Sequence, residues 1–297
     1  MVNTCPPATL GQRFMSCKRV ERFAPSPTGP LHLGHAYSAL IAARTADRFL
    51  LRMEDIDTAR CRPEWEAQIF DDLHWLGLHW EEPVLRQSQR LALYQDAVAQ
   101  LTAAGLTYRC TCTRADIKAA LSAPQEGAPM HGPDGLIYPG TCRNAGHVAQ
   151  DAAIRLNMRT AIAYLGDVSG LHFTELDAGD NGEQGQQALS AEHLQNGIGD
   201  VVLARRDIGT SYHVAVVVDD AAQGITHVTR GRDLFPATPL HRLLQALLDL
   251  PTPAYRHHRL IRDEAGKRLA KRDDARAVST LRAEGWTQGD VLRAIGL

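Results

Sequence analysis

Arg22-Phe-Ala-Pro-Ser-Pro-Thr-Gly-Pro-Leu-His-Leu-Gly-His35 is the stretch on which the reading of this chain turns. The strand-like run Val20 to Ala24 enters a loop of prolines and glycine, and the loop enters a helical pattern from Ala36 to Phe49. Strand, loop and helix in that order put His32-Leu33-Gly34-His35 at a helix N-terminus. There, backbone N–H groups and two imidazoles converge on the positive end of the dipole. That is phosphate-site chemistry: Gly34 lets a nucleotide approach the backbone, and His32 and His35 can each donate to a phosphate oxygen. His-x-Gly-His also occurs in ordinary loops, so its meaning depends on what surrounds it.

Working outward, Leu50 to Met53 reads as a second strand running into Glu54-Asp55-Ile56-Asp57, and Pro63 opens the helix that follows. The β-α-β order implies an α/β fold with a parallel sheet. Ser88 reads as the cap of an amphipathic helix with Leu91, Tyr94, Val98 and Leu101 on one face, ended by Gly105. Between 107 and 200 the character changes: Cys110, Cys112 and Cys142 appear, with a Gly/Pro-rich stretch and a Gly/Gln-rich stretch, 179–187, that reads as a mobile loop. This segment has the look of an insertion. His213 to Val218 and Ile225 to Thr229 read as two strands around Asp219-Asp220 and Gly224, and a helix follows from Pro239 to Leu248. Helical stretches at Val278 to Glu284 and Asp290 to Ile295 complete the pattern. The implied division is an irregular leader (1–18), a first catalytic half (19–106), the insertion (107–200), a second catalytic half (201–250) and a C-terminal segment (251–297).

At 297 residues, 44% hydrophobic and 22% charged, the composition is that of a globular protein of one or two domains. With 32 Lys+Arg against 34 Asp+Glu, the formal net charge of -2 does not announce a nucleic-acid partner, so basic surface must be local. Residues 251–297 concentrate it, with ten Lys/Arg against six Asp/Glu. Apolar runs such as Ala215 to Val218 are far too short to cross a bilayer, and no signal-like segment opens the chain. The expectation is a cytoplasmic protein without a membrane partner, acting as a monomer. Its six cysteines are then reduced thiols, some able to hold metal.

The run Arg22 to His35, with Leu51-Arg-Met-Glu-Asp-Ile-Asp-Thr58 at its proper distance, resembles the class I glutamyl- and glutaminyl-tRNA synthetases. The resemblance covers about residues 20 to 275. It implies a Rossmann-like nucleotide-binding fold with an inserted subdomain, and formation of glutamyl-adenylate from L-glutamate and ATP with Mg²⁺. It also implies a second nucleotide motif late in the chain, a divergent copy of which is Gly266-Lys-Arg-Leu-Ala-Lys-Arg272. Lys271 would bring charge to the triphosphate, and Ala270 stands where the family often has a hydroxyl. His32, Gly34, His35 and Lys271 are the implied ATP residues, with His32, His35 and Lys271 catalytic.

A glutamate substrate has two carboxylates and one ammonium, so its pocket needs cationic forks and one anion. By resemblance Arg22 faces a carboxylate, Phe23, Ala24, Pro25 and Ser26 line the amino acid, Glu54 pairs with the ammonium, and Tyr212 and Arg230 complete the pocket. The ordinary alternatives are a surface Arg230 paired with Asp233 and a core Tyr212. The α-carboxylate is already ionised and can attack the α-phosphorus directly, so alignment and charge neutralisation carry the catalysis.

Cys110-Thr-Cys112 and Cys142 supply three thiolates, with Tyr138, His131 or His147 as a fourth ligand for zinc. The glutamyl-queuosine branch of the family carries a Cys-x-Cys, Tyr-x-x-x-Cys set, and the match implies a structural zinc on Cys110, Cys112, Tyr138 and Cys142. A full glutamyl-tRNA synthetase has a further anticodon-reading region, for which the residues after Arg272 are too few. The resemblance therefore implies transfer of glutamate to queuosine at the wobble position of tRNA(Asp). The alternatives are charging of a tRNA 3′ end, or an inactive synthetase-like binding module.

Overall fold

The computed structural model describes residues 18–121, 131–149, 151–179, 182–261 and 276–297. Residues 1–17 of the leader and the 266–272 motif with Lys271 lie outside these residues. The first half runs β1 (Val20–Phe23), α1 (Leu33–Thr45), β2 (Arg48–Met53), α2 (Pro63–Trp75), β3 (Glu81–Arg86) and α3 (Leu91–Ala103). Strands β1, β2 and β3 form one sheet in that order, and both pairings are parallel. Pro63 stands at the start of α2, where its missing N–H costs nothing.

The middle of the chain holds β4 (Thr107–Cys110), α4 (Arg114–Leu121), β5 (His131–Gly132), β6 (Gly135–Leu136), β7 (Ala153–Leu156), α5 (Met158–Leu165), β8 (His172–Glu175), β9 (Gly185–Ala188) and β10 (Val202–Ala204). Strands β10, β7 and β4 make a small antiparallel sheet, and β5 and β6 a hairpin beside it. The second half adds α6 (Tyr212–Ala222), β11 (His227–Gly231), α7 (Thr238–Leu247), β12 (Ala254–His258), α8 (Val278–Ala283) and α9 (Gln288–Ile295). Strands β11, β12, β8 and β9 form a four-stranded sheet. Thr226, just before β11, bonds through its backbone N–H to the Val20 carbonyl at 3.0 Å, which aligns this sheet with β1.

Alternation along the strands divides the core. Leu50 joins one apolar cluster, with Tyr94, Val214 and Leu240, whereas Leu51 joins another, with Leu40, Leu73 and Val291. Successive residues of a strand face opposite ways, so β2 is covered on both faces. The C-terminal helices belong to the second cluster through Val278, Val291 and Ile295.

Four sequence expectations need correction. The run from His213 to Val218 is not a strand but part of α6, with Val214, Ala215, Val216 and Val217 all buried. A segment buried on every side shows no 3.6-residue periodicity, and β-branched residues then mimic a strand although tertiary packing outweighs their weak helix propensity. The first helix ends at Thr45, and Phe49 is already in β2. Ser88 does not cap α3; that position is Arg90, while the Ser88 backbone N–H and hydroxyl both donate to Asp55, at 2.8 and 2.6 Å. The Gly/Gln-rich stretch read as mobile contains strand β9, which pairs with β8 from Gly185 to Ala188.

Candidate active site

His32 is the N-cap of α1. Its Nδ1 accepts from the Gly34 backbone N–H at 3.1 Å, and Nδ1 of His35 accepts from the His32 N–H at 3.2 Å. This reciprocal cap occupies the Nδ1 of both rings, so each neutral imidazole carries its proton on Nε2. The rings stack with centroids 3.7 Å apart. The cap thus makes two parallel N–H donors at the positive end of a helix, suited to phosphate oxygens. Gly34 serves this arrangement directly: a Cβ there would meet the His32 ring at 3.0 Å. The Ala277 backbone forms a β-bridge to His32, and Ile261 lines the same cleft. The described residues on both sides of 262–275 therefore reach the cradle.

That cleft has a volume of about 520 Å³. Its lining includes His32, Gly34 and His35 and every proposed amino-acid contact: Arg22, Phe23, Ala24, Pro25, Ser26, Glu54, Tyr212 and Arg230. β1 delivers Arg22 and Phe23, and the end of β2 delivers Glu54, whose N–H bonds to the Pro25 carbonyl at 3.0 Å. Tyr212 opens α6, and Arg230 lies in β11. At 5% exposure Arg230 is no surface residue.

Asp220 organises the charges of this cleft, and the sequence reading passed over it. Its Oδ1 accepts from Arg22 Nε at 2.9 Å and from Arg52 Nη1 at 2.7 Å, while Oδ2 lies 3.4 Å from Arg22 Nη2. Arg52 also reaches Glu54 at 3.2 Å. Burial opposes the charge on Asp220, yet Arg22 and Arg52 hold its carboxyl below the ordinary range. Glu54 goes the other way: burial pushes it up, and Arg52 and Arg22 counter that only in part. The neighbouring Asp219 has a different task, accepting from Gln87, Arg90 and the Tyr94 hydroxyl at 2.9, 2.8 and 2.7 Å. The acidic doublet was visible in the sequence, but its assignment to a turn hid that its two carboxylates point to different partners.

Arg230 has partners of another kind. Its Nε donates to His257 at 3.0 Å, and Nη1 to His241 at 3.1 Å and to the Tyr212 hydroxyl at 3.5 Å. Its Nη2 donates to Thr238 at 2.8 Å and to the Leu234 carbonyl at 3.3 Å.

A separate cluster lies beyond β4. The sulfurs of Cys110, Cys112 and Cys142 all lie within 4.8 Å of one another. The Tyr138 hydroxyl is 3.4 Å from the sulfurs of both Cys110 and Cys112, and Cys112 and Cys142 are also 3.4 Å apart. A tetrahedral zinc with bonds of about 2.0–2.3 Å requires ligand–ligand edges of roughly 3.5–3.8 Å, and the three contacts of 3.4 Å are close to that size, so the thiol trio beside Tyr138 could hold such an ion. Burial works against a Cys142 thiolate, but hydrogen bonds from Tyr138 and the Thr111 backbone bring the thiol down to about 5. Arg155 lies over the Tyr138 ring at 3.9 Å and fixes its plane. Of the two alternative ligands, His131 is in β5, and the His147 ring is 3.4 Å from the Thr111 hydroxyl.

Among the described residues, no helix is long and apolar enough to cross a membrane. The family model described as tRNA synthetases class I (E and Q), catalytic domain, matches residues 19–145 and 186–297. The chain is 57% identical over 287 residues to the glutamyl-Q tRNA(Asp) synthetase of Rhodobacter capsulatus, covering 94% of this chain and 100% of that protein. It is 40% identical to the protein of that name from Albidiferax ferrireducens, over 90% of this chain and 88% of the relative. Among solved structures, glutamate-tRNA synthetase from Elizabethkingia anophelis superposes with a TM-score of 0.66 at 27% identity, covering 86% of this chain. The chain spans 53% of the length of that structure. Mycobacterium tuberculosis methionyl-tRNA synthetase, at TM-score 0.59 and 11% identity, shares the fold.

Proposed function

The chain belongs to the catalytic-domain family of the class I tRNA synthetases of the E and Q type, and from that premise we propose that it activates L-glutamate with ATP and transfers the glutamate to queuosine at the wobble position of tRNA(Asp). The observation that carries the first step is one cleft in which Arg22, Glu54, Tyr212 and Arg230 share a wall with the His32–His35 cradle. A bound glutamate would set its ammonium against Glu54 and its carboxylates toward the guanidinium groups, with an α-carboxylate oxygen facing the α-phosphorus. The Nε2–H groups of His32 and His35 would donate to the phosphates as charge moves onto the departing pyrophosphate, and Lys271 would add its charge there. Mg²⁺ brought in with ATP would supply further positive charge to the phosphates. No general base is needed, so positioning does most of the work.

The choice of acceptor rests on the relatives. The chain matches the whole length of a glutamyl-Q tRNA(Asp) synthetase at 57% identity, and the phenol of Tyr138 stands beside its three clustered cysteines. A zinc ion on Cys110, Cys112, Tyr138 and Cys142 would be structural, because the four protein ligands leave no open position. Such a site would brace β4 and the segment after β6, where the insertion would meet tRNA in the cytoplasm. The test is to incubate the protein with ATP, labelled glutamate and queuosine-containing tRNA(Asp), then map the labelled nucleotide. Label at the wobble nucleoside is expected. Label at the 3′-terminal adenosine would instead make the protein a tRNA-charging glutamyl-tRNA synthetase.

A further inference from the structure

Arg230 is a buried guanidinium whose five N–H donors are directed to a backbone carbonyl, a hydroxyl, a phenol and two imidazoles. Among the described residues no carboxylate lies within ion-pair distance of it, whereas Arg22 and Arg52 are both paired with Asp220. The two imidazoles are in turn backed by carboxylates. His257 reaches Glu175 through Nδ1. His241 Nε2 meets His213 Nδ1 at 2.9 Å, and His213 Nε2 meets Asp134 at 2.8 Å.

Hydrogen-bond bookkeeping fixes the protons along both arms. A guanidinium only donates and a carboxylate only accepts. Nδ1 of His241 must therefore accept from Arg230, so its proton sits on Nε2 and is donated to His213. His213 then accepts on Nδ1 and donates from Nε2 to Asp134. By the same logic His257 accepts on Nε2 and carries its proton on Nδ1, toward Glu175. All three rings are neutral in this pattern. Burial agrees, holding His241 well below the ordinary histidine range and bringing His257 to about 4.

We propose that His241 and His257 are positioning residues whose neutral rings hold Arg230 rigidly without cancelling its charge, so that this guanidinium selects an anionic carboxylate over a neutral amide on the substrate. A carboxylate placed directly on Arg230 would supply the same rigidity but would compete with the substrate for the positive charge. Setting each carboxylate one or two imidazoles away keeps the orientation and leaves the charge. The contact to Tyr212, the longest at 3.5 Å, identifies the N–H that a substrate oxygen can take over. The longer arm ends on Asp134, between β5 and β6, so the insertion helps hold the amino-acid pocket.

This inference rests on the glutamate reading of the cleft, and its test separates the two. In ATP–pyrophosphate exchange, His241→Gln keeps a neutral acceptor and should hold the KM for glutamate within about threefold, whereas His241→Glu should raise it about thirtyfold or more. The KM for ATP should stay put in both variants. Asp134→Ala, at a half-exposed hairpin position, should raise the glutamate KM several-fold, with partial recovery in Asp134→Asn. Equal effects of the Gln and Glu variants, or an unchanged KM in Asp134→Ala, would overturn the proposal. Independently of activity, long-range proton–nitrogen NMR spectra of the imidazoles at neutral pH should show His241 and His213 protonated on Nε2 and His257 on Nδ1. A charged ring at His241 or His257 would overturn it as well. If the wild-type protein fails to exchange with glutamate, the substrate reading falls, and these spectra still decide the cradle.

Discussion

Replacing Asp220 with Asn removes one negative charge from between two buried guanidiniums without changing the shape of the side chain. The amide oxygen can still accept from Arg22 Nε and Arg52 Nη1, the contacts of 2.9 and 2.7 Å. What is lost is the charge, and the amide NH₂ now faces Arg22 Nη2, which itself only donates. At an effective dielectric constant of about 20, two unit charges about 4 Å apart attract by about 4 kcal/mol, and Asp220 makes two such pairs. Relief of its own desolvation offsets part of this, which leaves the roughly 3–5 kcal/mol typical of breaking a buried ion pair. At roughly 2–4 °C per kcal/mol, Asp220→Asn should melt about 10 °C below the wild type. Arg52, left with Glu54 as its nearest anion, should also draw that carboxylate away from the substrate ammonium and raise the KM for glutamate. Asp219→Asn is the control, because Asp219 braces Gln87, Arg90 and Tyr94 instead. It should lower the melting temperature and leave the glutamate KM alone. The pH dependence has a definite sign: the folded pKa of Asp220 is depressed, so its contribution is present above the unfolded value of about 3.9 and is lost as pH falls through the folded value. Asp220→Asn should therefore show a shallower loss of stability at the acid end. A melting temperature within about 2 °C of wild type, together with an unchanged glutamate KM, would refute this account of the charge cluster.

Further expectations concern the cleft and the thiol cluster. Arg230→Ala should raise the KM for glutamate about a hundredfold while leaving the KM for ATP near wild type, since one charge-assisted fork is worth about 1.5–3 kcal/mol; exchange kinetics at varied glutamate would show this. Glu54 has its carboxyl pushed up by burial and must be ionised to meet the ammonium. Glutamate affinity should thus fall on acidification, starting above the ordinary Glu value of about 4.3, and Glu54→Gln should bind weakly with no such pH slope. Cys110→Ser, or treatment of the wild type with a chelator, should lower the melting temperature and release zinc measurable by elemental analysis; equal melting curves with and without chelator would speak against a structural metal.

Much of the site was readable because it is local in sequence. The His32–Gly34–His35 cap is a four-residue device, and its helix-end geometry follows from the order of strand, proline-rich loop and helix. The Cys110, Cys112, Tyr138 and Cys142 set was likewise found by spacing together with resemblance. What was not readable depends on long-range burial. Asp220 lies on α6, whose apolar run shows no face because it is buried on every side. Arg52 sits in a strand beside Leu51 and Met53 with 0% exposure, and no local pattern says which carboxylate will meet it. The histidine arms behind Arg230 join β11, α6, α7, β12, β8 and the β5–β6 hairpin, a convergence that only the folded chain reveals.

The account stands or falls on glutamate-dependent exchange of labelled pyrophosphate into ATP, measured without tRNA and with glutamine and aspartate alongside. Exchange is expected with glutamate and little with either analogue, because the cleft is lined both by Glu54 and by Arg230, a guanidinium with no carboxylate partner among the described residues. Exchange that ignores the amino acid, or that prefers glutamine, would contradict it.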